Sequence, residues 1–600
     1  MNKFSLFFLL ILLLCGSCYS LHSQENNPHI TLTNAQGDDI FYHTIERGQT
    51  VYAIATMYGI GVEDIYRLNP ESRAGIKAGK TLKIPQRDIA IAPIETEEPA
   101  YTYHTISPKE NLYSLSIKYK VLQTDIIRAN PGLSVSTFTI GKNIRIPATR
   151  IETLPTTEKK ILTKEIEYTA ERKETIYRIS RKFNISSTEL IKHNPQLKNG
   201  LKAGMVLKIP VQTEEIVTTD IHMLQEEAHD LLAEPKEIEH VDRIKVALLL
   251  PFTTKNASRI PHFVEYYEGM LMAVDSLRNA GKSFELFVFD TGDGMEKVDQ
   301  ILKKEELLQA NLIIGAVQNE QIKPVADFAQ KHRIKYIIPF TSQNDDVLSN
   351  ASVFQVNTPH SYLYSNAAQA GCNLFQKDNI VLVHIKDNKE KKDFIQALQT
   401  EMEQRNISYK ELTYNAETFA SDIKERLDPE KRNIVIPSSS SLEALNYIRP
   451  HIRTLAEFSP EGETPYRINL FGYPDWQTYT AECLDDFYAL NTYIYSNFYT
   501  DHLSAEVQDF YRKYKNWYSK NLINTFPKYG ILGFDTAMFF FEALSKYGSN
   551  FENNLDKIDY KSLQTGFHFE RVNNWGGFIN TNVFIVQYKN DRTVCRSDIQ

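Results

Sequence analysis

Three near-copies of one unit, 43 to 45 residues long, fill the first third of this 600-residue chain. They run from Tyr42 to Pro85, from Tyr103 to Pro147 and from Tyr168 to Pro210. Each closes on a short alternating run that ends in proline: Leu82-Lys83-Ile84-Pro85, Ile144-Arg145-Ile146-Pro147 and Leu207-Lys208-Ile209-Pro210. Each carries an Asn-Pro pair near its middle, at Asn69-Pro70, Asn130-Pro131 and Asn194-Pro195. Each also has a glycine six residues before its final proline, at Gly79, Gly141 and Gly204. A fixed period of this length means one supersecondary unit per repeat. A unit this small buries little, so its fold depends on a few well-placed side chains.

In the first unit, Tyr42-His43-Thr44-Ile45 alternates like a short strand. Gly48-Gln49-Thr50 then turns the chain into a helix capped by Thr50, with Val51, Ile54, Ala55 and Tyr58 at helical spacing and Gly59 at its end. A second short helix starts near Val62 and carries Ile65 and Leu68 inward, and after Asn69-Pro70 the segment Thr81 to Ile84 closes the unit as a strand. The second unit repeats the scheme with Leu112, Leu115, Tyr119 and Ile126, and the third with Ile176, Ile179, Phe183 and Leu190. Their turns differ. Pro108-Lys109-Glu110-Asn111 replaces the glycine turn in the second, while the third has Arg172-Lys173-Glu174 ahead of Thr175 and reads one residue shorter. Asn-Pro is also a plain helix stop, and the glycines also serve tight turns.

These residues, in this order, resemble the LysM domain, a small βααβ module that binds N-acetylglucosamine-containing glycans such as peptidoglycan. The resemblance implies a shallow groove between the turn after the first strand and the loop leading to the second. On this chain the paired loops are 48–51 with 69–76, 110–112 with 130–133, and 173–176 with 194–197. The implied contact residues are Gly48, Gln49, Thr50, Asn69 and Pro70; Asn111, Leu112, Asn130 and Pro131; and Thr175, Asn194 and Pro195. Single grooves of this kind bind weakly and gain through tethering. The third repeat, whose turn departs furthest from the pattern, is expected to contribute less than the first.

The N-terminus is built for export. Asn2 and Lys3 lead into the apolar run from Phe4 to Leu14, long enough for a signal core and short for a membrane span, so residues 1–23 read as a signal segment. Cleavage before Gln24 and lipidation of Cys18 both stay open, because Gly16-Ser17-Cys18 resembles the end of a bacterial lipobox, and an uncleaved signal anchor is the weakest alternative given the small residues after the core. Either route leads to the periplasm or the periplasmic face of the outer membrane. Net charge is −8 with no polybasic block, which argues against a nucleic-acid partner. Cys372, Cys483 and Cys595 follow the export segment, widely spaced; one bridge and free buried thiols are both open readings. No HxH, HExxH or GxSxG spacing occurs, and no CxxC beyond the export segment, so neither a metal, a cofactor nor catalysis is called for.

Polar spacers (87–99 and 152–160) separate the repeats. An acidic linker, 211–243, follows them, in which Ile221, Leu224, Leu231 and Leu232 suggest one helix or a hinge. From Ile244 the pattern changes. Ile244-Lys245-Val246-Ala247-Leu248-Leu249-Leu250 reads as a buried strand, then helix and strand alternate through 286–289, 312–315, 336–339, 380–383, 434–437, 468–471 and 491–494. Such alternation over about 350 residues predicts a two-lobed α/β domain, residues 244–600, with parallel-type sheets.

Pro251-Phe252, Tyr267-Glu268-Gly269, Gly315-Ala316-Val317, Pro339-Phe340-Thr341-Ser342, Phe354 to Pro359 and Tyr529 to Ala537 resemble the type I periplasmic ligand-binding fold of the branched-chain amino-acid receptors. In that architecture ligands sit between lobes, beyond the carboxyl ends of strands. The cleft candidates are Asn256, Gln318, Thr341, Ser342, Ser438, Ser439 and Asp475. The chain therefore reads as a multidomain, non-catalytic peptidoglycan-binding envelope protein. Its C-terminal domain is expected to be an interaction scaffold or regulator of envelope proteins. The alternative is a wall-tethered receptor for an amino acid or other small polar ligand.

Overall fold

The computed structural model describes residues 40–85, 101–148, 158–172, 174–183, 185–217, 228–233, 241–358, 360–458 and 464–598. The signal segment with Cys18 lies outside them, as do Ile221, Leu224, Lys173 and Pro359.

Each repeat is a strand, two helices and a strand paired antiparallel with the first. In repeat 1, Ile40–Thr44 pairs with Thr81–Pro85 around helices Val51–Tyr58 and Val62–Leu68. Repeat 2 pairs Tyr101–Thr105 with Asn143–Pro147 around Leu112–Tyr119 and Gln123–Ala129. Repeat 3 pairs Glu158–Thr169 with Val206–Val217 around Ile176–Lys182 and Ser187–His193. The first helix of each starts at the same side-chain cap: Thr50, Asn111 and Thr175 accept the N–H of Ala53, Ser114 and Arg178.

Strand register corrects the expected shorter turn of repeat 3. His43 lies opposite Leu82, His104 opposite Ile144, and Tyr168 opposite Leu207. A tyrosine thus takes the histidine's place, and the turns to Thr50, Asn111 and Thr175 have one length. The ribbon of repeat 3 also runs on through residues read as spacer and linker, from Glu158 to Val217. The acidic linker is helical at 228–232, where Ala228, Leu231 and Leu232 pack into the core of repeat 2.

The remainder forms two lobes. The first has a seven-stranded sheet in the order Phe569–Arg571, Phe578–Asn580, Val353–Gln355, Lys335–Ile338, Leu312–Gly315, Ile244–Leu250, Phe284–Asp290. The second has the order Tyr409–Thr413, Asn379–His384, Asn433–Pro437, Ile468–Gly472, Tyr493–Ser496, Phe584–Tyr588, Val594–Asp598. The central strands are parallel, as continuous apolar runs require. Antiparallel pairs close one edge of each sheet, so the sheets are mixed. The chain passes between lobes after Gln355, after Ser496 and after Asn580. Tyr493–Ser496 falls two residues later than expected, and the edge strands beyond residue 569 were not anticipated.

Two of the family-like segments have a packing reason. Helices Ile260–Asn279 and Tyr529–Tyr547 cross in backbone contact: a Cβ at Gly269 would lie 1.8 Å from the Gly530 carbonyl oxygen, and one at Gly533 would lie 2.0 Å from that of Tyr266. On the same helix the buried Asp535 carboxylate accepts the N–H groups of Leu563, Gln564 and Thr565 and the Tyr560 hydroxyl. Burial outweighs those donors and raises its pKa to about 6.

Repeats 1 and 2 are seated on the first lobe. The loop 572–577 of its edge hairpin places the Trp575 indole, 2% exposed, against Tyr58 of repeat 1 and Tyr103 of repeat 2, with ring centres 5.9 and 5.5 Å away. The Arg145 guanidinium lies 5.0 Å from that ring. The Asn574 carbonyl accepts the Gly132 N–H at 2.8 Å, and its side-chain amide donates to the Asn143 carbonyl at 3.0 Å.

Candidate functional site

The side chains of Asn69, Asn130 and Asn194, expected in the grooves, are committed as clamps of the fold. Asn69 Nδ2 donates to the carbonyls of Ile65 and Lys83 at 2.9 and 2.8 Å, and its Oδ1 accepts the Lys83 N–H at 2.9 Å. Asn130 makes the same three bonds with Ile126 and Arg145, and Asn194 with Leu190 and Lys208. All three side chains are buried and tie the second helix to the closing strand. The Leu112 side chain is likewise in the core of repeat 2. Pro70 and Pro195 open short 3₁₀ turns, where the missing N–H costs nothing, and Pro131 is exposed.

Behind the first turn lies a second shared device. The Gln49 amide oxygen accepts the Glu46 N–H at 2.9 Å and faces His43 Nε2 at 2.7 Å, while His43 Nδ1 faces the Tyr58 hydroxyl at 2.8 Å. In repeat 2, His104 bridges Glu110 at 2.6 Å and Tyr119 at 2.9 Å. In repeat 3 the Tyr168 hydroxyl donates to Glu174. Burial lowers the pKa of both His43 and His104, opposed but not overcome by Gln49 and Glu110. Folded values below the unfolded value of about 6.5 mean that the unfolded chain takes up protons first. Repeats 1 and 2 are therefore expected to be most stable above about pH 6.5 and to weaken as pH falls below it. Repeat 3, with tyrosine at that position, should not share this dependence. Hydrogen exchange resolved by repeat between neutral and mildly acidic pH checks it; a parallel decline in all three would reject the histidine explanation.

With those side chains occupied, the exposed part of each groove is largely main chain and the residues beyond it. In repeat 1 the two expected loops do face one another. Gly48, Gln49, Thr50, Ser72, Arg73 and Ile76 line a cavity of about 410 Å³ whose far wall comes from the second lobe. In repeat 2 the loop 130–133 is engaged by the first lobe through the Gly132 N–H. Among the described residues the core of repeat 3 gathers only its own side chains, and Tyr177, two residues past its cap, is 65% exposed.

The inter-lobe candidates divide by lobe. On the first, Asp293 accepts the Thr254 hydroxyl at 2.7 Å, the Lys255 N–H at 2.6 Å and Gln318 Nε2 at 3.0 Å. Asn256 belongs to the same cluster: its N–H donates to Thr254, and its side chain accepts from Ser258. Beside it, burial opposes the charge of Asp290, but Lys297, Thr253 and the Gly292 N–H outweigh it and bring it down to about 2. The Thr341 hydroxyl accepts the Gln343 N–H at 3.0 Å, and Ser342 is half-buried next to it. Neighbouring Phe340 stacks on Tyr529 at 5.8 Å and packs on Phe263 and Tyr266.

On the second lobe, Ser438 and Ser439 open a run of four serines, 438–441. Ser439 and Ser441 each donate to Asp387 at 2.6 Å, and Ser438 bonds the main chain of Ile385. Ser441 also caps helix Leu442–Glu457 through the Ala444 N–H. A carboxylate already fills the place of an anion. Asp475 lies 3.4 Å from Lys391. Asp387 sits on a loop 52 residues upstream of Ser439, and only its position just beyond a buried strand marks it in the sequence.

Among the described residues no cluster of three or more His, Cys, Asp or Glu side chains could hold a metal, and no helix is long and apolar enough to cross a membrane. Cys372 and Cys483 are buried free thiols, and Cys595 is a half-buried one.

Comparison with known proteins agrees with this architecture. The LysM domain family matches residues 43–85, 104–147 and 168–210, and the receptor family ligand binding region matches residues 266–455. The chain carries three LysM domains followed by a periplasmic ligand-binding-like domain. Over 109 residues it is 28% identical to YdhD of Bacillus subtilis (strain 168), provisionally named a sporulation-specific glycosylase. That match covers 18% of this chain and 22% of the curated relative, so the chain spans about a fifth of its length. Among solved structures, an ABC transporter substrate-binding protein from Desulfitobacterium hafniense in complex with Leu is 15% identical. It covers 60% of this chain and 100% of its own, with a TM-score of 0.37. The ABC transporter substrate-binding protein from Sphaerobacter thermophilus is 16% identical, with 60% and 97% covered and a TM-score of 0.38.

Proposed function

We propose that this is a non-catalytic, exported protein of the cell envelope that holds on to peptidoglycan through its LysM domains and receives a small polar solute between the lobes of its C-terminal domain. The observation that carries the reading is the seating of repeats 1 and 2 on the first lobe through Trp575 and Asn574. It makes the glycan modules and the receptor-like domain one unit rather than beads on a string. The proposed solute contacts are Thr254, Gln318, Thr341 and Ser342 on the first lobe and the Asp475–Lys391 pair on the second, a mixed set that suits a polar or zwitterionic ligand.

Co-sedimentation of the full chain with insoluble peptidoglycan, competed by N-acetylglucosamine oligomers, tests the glycan half; recovery in the supernatant at the level of an inert protein would reject it. Calorimetry of the full chain against amino acids, polyamines and muropeptides tests the other half. Saturable one-to-one binding near micromolar strength, about −8 kcal/mol, is the expected result. A second reading, a docking scaffold for another envelope protein, is favoured by the serine hydroxyls already committed to Asp387 and by the Phe340–Tyr529 stack beside Thr341. A panel of such solutes giving no heat would turn the assignment to that reading.

A further inference from the structure

Resting on the glycan reading above, we propose that the groove of repeat 1 is a composite site. Its second wall is the face of the second lobe made by helices His360–Phe375 and Lys392–Gln404, and the ligand is a short β-linked amino-sugar oligosaccharide held between a LysM domain and the receptor-like domain.

The geometry is specific. Both turns that frame the groove in repeat 1 touch the second lobe's first two helices. A Cβ at Gly48 would stand 3.0 Å from the Tyr362 Cα, and one at Gly75 would stand 2.0 Å from Gln396 Nε2. Both glycines have left-handed backbone, φ of 80° and 120°; the neighbour at Gly48 is the Tyr362 main chain, and at Gly75 it is the tip of the Gln396 side chain. Repeat 2 has Lys109 where repeat 1 has Gly48, and its lysine adopts the same left-handed φ, 69°. A non-glycine residue can therefore make the turn, and in repeat 1 the main chain of Tyr362 crowds the place its Cβ would take.

Between the two contacts the surfaces part and leave the cavity of about 410 Å³, within the range of roughly 300–1,000 Å³ usual for small-ligand sites. Its chemistry suits a sugar. The LysM side offers main chain, Thr50 and Arg47; the lobe offers Tyr364, Asp393, Gln396 and Gln404. Amide and carboxylate groups pair with hydroxyl and acetamido groups, and an aromatic ring covers the apolar face of a pyranose. The module is also held to both lobes around this space, by the Tyr52 hydroxyl on Asp345 at 2.9 Å and by Lys77 with Glu403 at 3.1 Å. The wall thus stands beside the groove on both flanks.

The test is hydrogen exchange of the full chain with and without the N-acetylglucosamine pentamer. At a probe concentration about ten times its Kd, exchange that requires the free site slows about tenfold. The expected footprint covers residues 47–51 and 71–77 together with 392–404, while repeat 3 is protected at 195–201. Gln404→Trp, on the exposed face of its helix, and Thr400→Trp narrow the cavity from the lobe side, and each should abolish the slowing at 47–51 without touching that at 195–201. Slowing in the repeat 1 loops that leaves 392–404 unaffected overturns the composite site in the unaltered protein, whatever the variants do, and leaves the glycan reading standing. No slowing in any repeat overturns the glycan reading itself.

Discussion

Replacing Trp575 by alanine is expected to release repeats 1 and 2 from the first lobe while every domain stays folded. The indole is almost wholly buried among the rings of both repeats, and truncation of such a ring costs about 3–5 kcal/mol, more than exposed pairs such as Tyr52–Asp345 and Lys77–Glu403 hold. The loop that carries it does not depend on it. Asn573 Oδ1 accepts the N–H of Trp575 and of Gly576, its amide donates to the Leu348 carbonyl, and the Gly577 N–H donates to that of Val347. The cost therefore falls on the seating of the repeats and spares the lobe. Because Trp575 Nε1 has no hydrogen-bond partner, phenylalanine should retain most of the contact, within about 1.5 kcal/mol. Small-angle scattering should show a larger radius of gyration for the alanine variant only, with faster exchange at 101–105. An unchanged scattering profile would mean that the Asn574 hydrogen bonds and the contacts of repeat 1 with both lobes hold the modules without the indole.

The repeats and the strand-helix alternation were legible because both are periodic, and period is what burial imposes on a chain. The roles inside them were less so. Asn69, Asn130 and Asn194 recur in phase, yet recurrence alone does not tell a ligand contact from a clamp that every copy of the fold needs. The four-serine run showed hydroxyls but could not show that Asp387, distant in sequence, already takes two of them. The seating of the repeats left no periodic trace at all, since Gly132 and Asn574 meet across more than four hundred residues. One cue was available: Trp575 is one of only three tryptophans, and it stands in a loop between Asn573-Asn574 and Gly576-Gly577. A large apolar ring on a turn is costly to leave in water, so it points to a contact elsewhere.

That seating reverses the expected ranking of the repeats. For insoluble peptidoglycan, whose strands are long and cross-linked, loss of repeat 3 should now cost more than loss of repeat 1. The loops of repeat 1 face a wall, one loop of repeat 2 is engaged by Asn574, and repeat 3 presents Tyr177 and its turn to solvent. Asn194→Ala is the sharpest way to remove repeat 3 from the full chain. It strands the carbonyls of Leu190 and Lys208 and the Lys208 N–H, each a loss of about 1–3 kcal/mol where buried. Against a core of only six fully buried apolar side chains, that exceeds what the unit can bear. The matching Asn69→Ala strands the same groups, but repeat 1 keeps its contacts with Trp575 and both lobes and should remain folded. Co-sedimentation is expected to fall about tenfold or more for Asn194→Ala, since tethered sites multiply one another's effect, and far less for Asn69→Ala. Equal losses, with circular dichroism showing both variants otherwise folded, would mean that the wall beside repeat 1 moves aside for the polymer.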